Sequence, residues 1–404
     1  MTALVVIVFV AVYVGLALGR IPGLGIDRTG FALLGALVLY ALGAVDDAGV
    51  AASVDVPTLV VLFGLMVLSA QFYVSGFYDL CAHAIGHGGA SPRRLLALTV
   101  VVGGVLSSVL ANDVVVFALT PLLCHGIGAR GLDPRPYLIA LAGAANAGSA
   151  ATIIGNPQNI LIGQAGGLDF WSFLAVCGPP AVVALVVVYA TVAVIWRRAL
   201  DAPGQAPSRD RPAVHRWGIA KGAIATVALL ACFALPLPQA TGVLIVAGAL
   251  LVTRRRTTRD MLAHVDWPLL LLFVGLFVIT DALAGLTMVG DAVAGLQVAG
   301  GDPSRLAVLA PLTLVASNTI GNVPAVVLVL ALRPDLPEVT LQALALLSTL
   351  AGNLLLVGSL ANLIVAERAA SVGVRLSFLD HARCGVPMTL VSMLFAVGWL
   401  FLVA

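Results

Sequence analysis

The sequence predicts an all-α polytopic membrane protein with two inverted-topology repeats, each with a re-entrant helical hairpin and a broken transmembrane helix. Three observations predict this fold. The chain has 404 residues, of which 61% are hydrophobic and only 10% charged, so it cannot cover itself with a water-soluble surface. Its two halves carry matching motifs in the same order. Its basic residues fall on one side of the predicted membrane.

The apolar residues are grouped into about twelve segments with lengths suited to a hydrocarbon core roughly 30 Å thick. The first segment opens directly after Met1 without a basic leader, so we expect a retained helix rather than a signal peptide. The predicted segments are 2–19, 30–45, 57–80, 94–126, 136–164, 171–196, 217–233, 238–253, 267–289, 304–332, 339–366 and 385–403.

The repeat is visible at three places. The Val-Asp-Val-Pro motif at 54–57 returns as Val-Asp-Trp-Pro at 265–268, and each motif opens an apolar segment. Further on, 107–112 aligns with 317–322, and a third pair of motifs begins at Gly155 and Gly358. Corresponding polar interruptions in two halves are typical of a secondary transporter's binding site.

The motif pairs divide the chain. We predict a first repeat over residues 1–196, a cytoplasmic basic linker over 197–216 and a second repeat over 217–404. Segments 94–126 and 304–332 are too long for one straight span and are broken near their middles. We therefore predict that each is a re-entrant hairpin, which gives each repeat an odd number of crossings and inverts the second repeat.

The charge distribution sets the predicted orientation. If both hairpins are re-entrant, all of the 21 Lys and Arg residues except Arg305 and Arg333 lie on one side of the membrane. Since cytoplasmic loops retain Lys and Arg, we predict a multi-pass protein of the cytoplasmic (inner) membrane with both termini outside. The basic linker and the Arg run at 254–256 are also patterns found in nucleic-acid-binding proteins. Topology accounts for both, so we expect no nucleic-acid partner.

The helix breaks are the predicted binding site. Irregular backbone is tolerated inside a bilayer only where protein or a water-filled cavity satisfies it, and half-helix ends offer N–H groups to anions and C=O groups to cations. A buried Asn amide needs several partners, whereas Ser, Thr and Gly often serve only close helix packing. The candidate substrate- or ion-binding residues are Asn112, Asp113, Asn146, Gly155, Asn156, Asn159, Ser317, Asn318, Thr319, Asn322, Asn353, Gly358, Ser359 and Asn362.

Two carboxylates, Asp113 and Asp281, are placed well inside predicted segments and are candidate proton carriers. Na⁺ at the hairpin tips is the alternative coupling ion. The chain has no Gly-Lys-Ser/Thr phosphate loop and no metalloprotease motif, so we expect neither an enzyme nor a cofactor or metal site. We also expect alanine at Asn159 or Asn362 to abolish transport and leave the folded protein in place.

The motifs at 110–113, 155–163 and 358–367 resemble the ion transporter superfamily, in particular its arsenite permeases and citrate-transporter-like anion permeases, which are related to the divalent-anion/sodium symporters. The resemblance covers nearly the whole chain and implies two hairpins and two broken helices. The first tip, Ala111-Asn112-Asp113, looks like that of the arsenite permeases.

Together these features predict a cation-coupled secondary transporter of a small anion or oxyanion, using Na⁺ or H⁺. The alternative is an efflux permease for arsenite or antimonite, and a third hypothesis is a membrane scaffold without transport. The expected partners are the small anionic or oxyanion substrate and the lipid bilayer, with a homodimer as the candidate assembly.

The predicted topology has a direct test. Single cysteines at Asp46 and Asp302 should react with an impermeant thiol reagent added to intact cells, because both positions are predicted to face outside. Cysteines at Arg130 and Arg254 should react only after the membrane is opened. Equal reactivity of the two sets would contradict the inverted arrangement.

Overall fold

A computed structural model describes residues 1–19, 25–86, 91–202, 213–235, 239–253 and 257–403. Within these ranges the chain is helical and contains no β-strand. The Arg run at 254–256, residues 203–212 of the predicted linker and His87 lie outside the described residues.

The helices of the first repeat follow the predicted segments closely. They are α1 (Thr2–Leu18), α2 (Arg28–Ala41), α3 (Asp47–Ser53), α4 (Val56–Val74), α5 (Phe77–Gly86), α6 (Pro92–Val109), α7 (Asn112–Gly128), α8 (Arg135–Ser149), α9 (Pro157–Gly166) and α10 (Phe170–Ile195). The short α11 (Arg197–Leu200) follows, at the start of the predicted linker.

The second repeat has one helix for each of α1 to α10, in the same order. They are α12 (Arg216–Ala234), α13 (Gln239–Leu251), α14 (Thr258–Leu262), α15 (Trp267–Ala284), α16 (Thr287–Val298), α17 (Leu306–Thr319), α18 (Asn322–Leu332), α19 (Glu338–Ala351), α20 (Leu360–Ser371) and α21 (Phe378–Val403). A short 3₁₀ turn, Leu356–Gly358, precedes α20.

The repeated motif at 54–57 and 265–268 is a helix start. The Asp55 carboxylate accepts a hydrogen bond from the Thr58 N–H at 3.1 Å and caps α4. The Asp266 carboxylate accepts from the Leu269 N–H at 3.0 Å and caps α15. In both helices the proline stands in the first turn, where its missing N–H costs no helical hydrogen bond.

Side-chain contacts bring together the two ends of each hairpin. Arg333, just after α18, lies 2.9 Å from the Asp302 carboxylate, just before α17. On the first hairpin, the Tyr137 hydroxyl at the start of α8 donates to the carbonyl of Pro92, which opens α6, at 3.2 Å. Each pair of hairpin helices therefore begins and ends on the same side of the molecule, as the re-entrant interpretation predicts.

Two of the predicted unbroken segments are each divided between two helices. Segment 57–80 bends at Gly76, which has φ +76°, and continues as α5. Segment 267–289 ends early at Ala284, and α16 occupies part of what we expected to be a loop. No residue of α16 is buried. The shorter span also places Asp281 one turn from the end of α15 with its side chain exposed, and not deep in a segment as predicted.

The helices form two blocks according to their contacts. We define the site-bearing helices as α6 to α10 and α17 to α21, which pack mainly on each other. We define the flanking helices as the remaining ones, α1 to α5 and α12 to α16, with α15 on α2 and α13 on α4 as their largest packings. The short α5 departs from this division, because it packs mainly on α7. Each block takes equal parts from both repeats, as a pseudo-two-fold relation requires.

The outer surface suits a bilayer. In the part of the chain that the structure describes, six helices are at least 18 residues long and apolar enough to cross a membrane: α4, α6, α10, α12, α15 and α21. Shorter apolar helices, including α1, α2 and α7, supplement them. Large apolar side chains such as Val182, Val194 and Leu394 are more than half exposed, which is the pattern expected where lipid, and not water, is the solvent.

The ion pair of the second hairpin gives a pH prediction. Hydrogen bonds from Ser304 and the neighbouring Arg333 hold the pKa of Asp302 at about 2. A carboxylate with a lowered pKa stabilises the fold above its unfolded pKa and loses that contribution as the pH falls towards its folded value.

We therefore expect Asp302→Asn to lower the melting temperature of the detergent-solubilised protein between pH 4 and 8, with the difference from wild type vanishing towards pH 2. Asp291→Asn, on the exposed α16, is the matched control and should have no effect. A difference that grows on acidification would contradict this role of Asp302.

Candidate functional site

The first helix break is closed by two asparagines. The Asn159 side-chain amide donates to the carbonyl oxygens of Ser149, the last residue of α8, at 3.1 Å and of Thr152, just beyond it, at 3.0 Å. The Asn156 side-chain oxygen accepts from the Asn159 N–H at 2.9 Å and caps α9. These amides satisfy backbone groups that a bilayer could not.

The second break is closed in the same way. The Asn362 side-chain amide donates to the carbonyl oxygens of Gly352 at 2.8 Å and Leu355 at 3.1 Å. The Ser359 hydroxyl accepts from the Ala361 N–H at 3.2 Å and caps α20. Every acceptor of Asn362 lies at one constant chain offset from an acceptor of Asn159. The two breaks are thus copies of one local structure.

Hydrogen bonds also cross between the repeats in matching pairs. The Asn146 amide on α8 donates to the side-chain oxygen of Asn362 at 3.2 Å. Its repeat mate Thr349, on α19, donates from its hydroxyl to the side-chain oxygen of Asn159 at 3.4 Å. The repeats therefore bind each other through the same asparagines that close the breaks.

A second matching pair surrounds the first. The Ser359 hydroxyl donates to the Asn146 side-chain oxygen at 3.0 Å, and the Asn156 amide donates to the Thr349 hydroxyl at 3.2 Å. Asn146 also donates to the side-chain oxygen of Asn353 at 2.8 Å. All five side chains are buried.

The first hairpin tip reaches this network. The backbone N–H of Asn112 donates to the Gly155 carbonyl at 3.1 Å, which joins the tip to the first break. The Asn112 side-chain oxygen accepts from the Asp113 N–H at 2.9 Å, and its amide is 3.5 Å from the Asn146 side-chain oxygen. Asp113 is 8% exposed in the first turn of α7.

The second tip is built differently. Gly321 has φ +98°, a backbone conformation that a residue with Cβ rarely adopts, and Asn322 follows as the first residue of α18. The Asn322 side-chain oxygen is buried without a hydrogen-bond partner among the described residues. Asn318, on α17, donates to the Ala351 carbonyl at 2.9 Å and accepts from the Leu355 N–H at 3.2 Å. It therefore satisfies two backbone groups of the second break from a neighbouring helix.

Both predicted glycines serve close approach. A Cβ at Gly155 would collide with the Ser149 backbone, and a Cβ at Gly358 would collide with the Asn318 side-chain oxygen. These positions shape the breaks without offering a ligand of their own beyond the backbone.

A cavity of about 460 Å³ lies between the flanking and the site-bearing helices. It reaches exposed residues such as Asp27 at the start of α2, on the side that we predict to be cytoplasmic. Its polar and charged lining comprises Asp27, Arg28, Thr29, Asn112, Asp113, Gln158, Asp266, Asn322, Ser359 and Glu367.

Helix starts dominate the electrostatics of this cavity. The N-terminal ends of α7, α9, α18 and α20 all contribute residues to its wall. Among the described residues no side chain caps α18, so its first N–H groups are available to an oxygen-rich ligand. The first N–H groups of α7 already donate to the Gly155 carbonyl and to the Asn112 side-chain oxygen. Against these partial positive charges stand the carboxylates of Asp113 and Asp266, the latter on the flanking block.

The structure brings most of the predicted residues together and separates two of them. Asn112, Asn146, Asn156, Asn159, Asn353, Ser359 and Asn362 belong to one hydrogen-bonded network. Ser317 lies beside this network. Its side chain is buried, and its hydroxyl is 3.4 Å from the Ser348 carbonyl oxygen. Thr319 is exposed and bonds within its own helix, and Asp281 is absent from the cavity lining.

Sequence reasoning missed four residues of the site. Gln158 lines the cavity and donates to the Thr349 hydroxyl at 3.2 Å. Thr349 could have been found as the repeat mate of Asn146. Arg28 and Asp266 were treated as loop charges, although Asp266 stands beside a repeated helix start. No pattern in the sequence signals that Arg28 faces the site.

The hydrogen bonds of Asn159 and Asn362 also correct one expectation. Alanine at either position was expected to leave the fold intact. Both amides close broken backbone, so their removal takes the side-chain donor from the Ser149 or the Gly352 carbonyl and weakens the bonding of the Thr152 or the Leu355 carbonyl, which keeps a backbone N–H donor. Loss of stability must therefore accompany any loss of transport.

Comparison with known proteins identifies the family. The family model described as "Citrate transporter" matches residues 5–333. The chain belongs to the citrate transporter family. It is thus a multi-pass membrane transporter, and the resemblance to the arsenite and citrate permeases is confirmed.

Individual relatives agree. The chain is similar to the silicon efflux transporter LSI3 of Oryza sativa subsp. japonica, with 27% identity and 92% of each protein covered. It is 24% identical to the putative transporter arsB of Dictyostelium discoideum, over 93% of this chain and 87% of that one. The crystal structure of the Alcanivorax borkumensis YdaH transporter shares the fold, with a TM-score of 0.59, 16% identity and coverage of 99% and 96%.

Asn146 provides the sharpest test of the network. Asn146→Ala removes an amide that bonds to four buried side chains, those of Asn112, Asn353, Ser359 and Asn362. We expect a loss of about 1–3 kcal/mol in stability against chemical unfolding. Asn146→Thr, which installs the side chain of the repeat mate, should lose less because a hydroxyl can keep one bond. If both variants are as stable as wild type, the network does not hold the repeats together.

Proposed function

We propose that this protein is a cation-coupled secondary transporter of a small oxyanion or of its uncharged acid. One observation carries the proposal: the cavity ends at two hairpin tips and two broken helices, whose helix starts face it. Its volume of about 460 Å³ suits a small molecule. The predicted orientation makes this the state open to the cytoplasm.

Asp113 supports cation coupling. It is a buried carboxylate at a hairpin tip in contact with the Asn112 amide network, and an intramembrane carboxylate is costly unless it binds a cation or a proton during the cycle. Its repeat mate is Val323. The coupling group is therefore present in one repeat only, in contrast to the symmetric asparagines.

The charge of the lining favours an uncharged acid. Four carboxylates (Asp27, Asp113, Asp266 and Glu367) and one guanidinium (Arg28) face the cavity among its described lining residues. A multiply charged anion would meet net repulsion there, whereas the hydroxyl groups of arsenous or antimonous acid can bond to amides and carboxylates. The relatives named for silicon efflux and arsB are in accord with this class of substrate.

A second candidate is a carboxylate of the citrate type. It is favoured by the Arg28 guanidinium at the mouth of the cavity and by the uncapped start of α18, since both attract anions. Such a substrate would enter together with cations that offset the acidic lining.

Purified protein in proteoliposomes can separate the two candidates. Uptake of arsenite and antimonite should be compared with uptake of labelled citrate and succinate, under imposed pH or Na⁺ gradients. We expect a pH gradient to drive movement of arsenite or antimonite. Citrate or succinate uptake without any arsenite movement would select the second candidate, and no gradient-driven movement of any of the four would contradict both.

Asp113→Asn tests the coupling. We expect gradient-driven uptake to fall at least tenfold, because the amide cannot release a proton or neutralise a cation. Exchange of substrate between two loaded sides should be less affected, since it requires no net movement of the coupling ion. Asp281→Asn is the matched control and should keep full uptake. If uptake by Asp113→Asn keeps the pH and Na⁺ dependence of wild type, Asp113 has a structural role and not a coupling role.

A further inference from the structure

Two side-chain pairs stand between the flanking and the site-bearing helices at corresponding places in the two repeats. In one pair, the Gln164 amide on α9 donates to the side-chain oxygen of Gln239 on α13 at 2.6 Å. Gln239 is the repeat mate of Arg28 on α2, and Gln164 is the repeat mate of Glu367 on α20. Gln164 and Glu367 occupy the same position in their helices.

The second pair is charged and lies at the open end of the cavity. Arg28 and Glu367 both line the cavity and interact electrostatically. The Arg28 guanidinium reaches the Val357 carbonyl, just before α20, at 3.4 Å. Its Nε is buried without a hydrogen-bond partner among the described residues. The guanidinium therefore already touches the second break but has unused donor capacity towards α20.

The inverted repeats place the two pairs at opposite ends of the transport path. α9 runs from the first break towards Asp169, and α20 runs from the second break towards the opposite, predicted cytoplasmic, side. The cavity opens beside Arg28 and Glu367, while neither Gln164 nor Gln239 belongs to its lining. The Trp171 indole N–H, which donates to the Ala234 carbonyl at 3.1 Å, joins the blocks near the closed amide pair.

We infer that the two pairs are the gates of the transporter. The amide pair closes the outer end in the state described here. In the alternate state the flanking and site-bearing helices approach at the other end, where Arg28 and Glu367 form a direct ion pair, and the amide pair opens. One gate is thus neutral and the other ionic, so the balance between the two states depends on which pair is intact.

The accessibility of the cavity tests this inference without knowledge of the substrate. A reporter cysteine at Leu363, which lines the cavity, is placed in a background with all five native cysteines replaced by alanine. Its reaction rate with an impermeant maleimide is then measured separately from each side of the membrane. A failure of the proposed substrate class would leave this measurement unaffected.

The two gates should respond with opposite sign. Gln164→Ala weakens the outer gate, so labelling from the cytoplasmic side should slow and labelling from outside should speed up, by about threefold to tenfold for the loss of one hydrogen bond. Arg28→Gln with Glu367→Gln weakens the inner gate, so labelling from outside should slow. Ser172→Ala breaks a 2.9 Å bond to Glu338 within the site-bearing block and should change neither rate.

An exchange of chemistry keeps the test decisive if a weakened variant folds poorly. Gln164→Glu with Gln239→Arg installs an ion pair at the outer gate. Labelling from the cytoplasmic side should then become faster, and raising the salt concentration should reverse the gain because salt screens exposed ion pairs. Changes of the same sign for both gates, or no change for either, would overturn the inference.

Discussion

The fold depends on how broken helices satisfy their backbone inside a membrane. A break that leaves carbonyl groups unpaired costs several kcal/mol for each group in hydrocarbon. Here one Asn side chain at each break, Asn159 or Asn362, donates to two carbonyls of its own repeat and accepts from the other repeat. The same amide thus closes a break and joins the halves, which explains why neither break can be understood alone.

The repeats share their framework and differ in their chemistry. Both contain the break-closing Asn, the helix-capping Asp before the third apolar segment and the crossing bond from α8 or α19. The differences are concentrated around the cavity: Asp113 corresponds to Val323, and Arg28 corresponds to Gln239. A symmetric framework allows two related states, whereas unequal side chains at its ends give those states unequal energies and affinities.

The sequence predicted the breaks well because their signal is chemical. A buried Asn amide needs several hydrogen-bonding partners, so its recurrence beside Gly in apolar segments points to interrupted helices. All four predicted interruptions are observed, near Leu110, Gly155, Gly321 and Gly358. The division into repeats at residues 196 and 217 and the two outside termini stay predictions. Local composition also gave no sign of which charged loop residues turn inward.

Arg28 and α16 show why these features were missed. Arg28 counts as one more basic residue in a basic loop, and only the packing of α2 against the second half places it beside Val357. α16 is apolar enough to be taken as the end of a span, but the helix ends at Ala284 and resumes at Thr287. Asp281 was consequently given a depth that it does not have. The position of Arg28, the start of α16 and the depth of Asp281 are determined by tertiary packing and by where helices end, which hydrophobic periodicity does not predict.

The contacts between the blocks explain how such a molecule can change state. Within the site-bearing block, buried amides and hydroxyls bond to each other repeatedly, so separating its members would leave many polar groups unpaired. Across the blocks, side-chain hydrogen bonds join Tyr13 to Pro324, Arg28 to Val357, Trp171 to Ala234 and Gln164 to Gln239. A displacement of one block against the other breaks bonds of this kind and keeps the network of asparagines intact. The substrate cavity lies along that same boundary, so a movement that spares the buried network also alters access to the site.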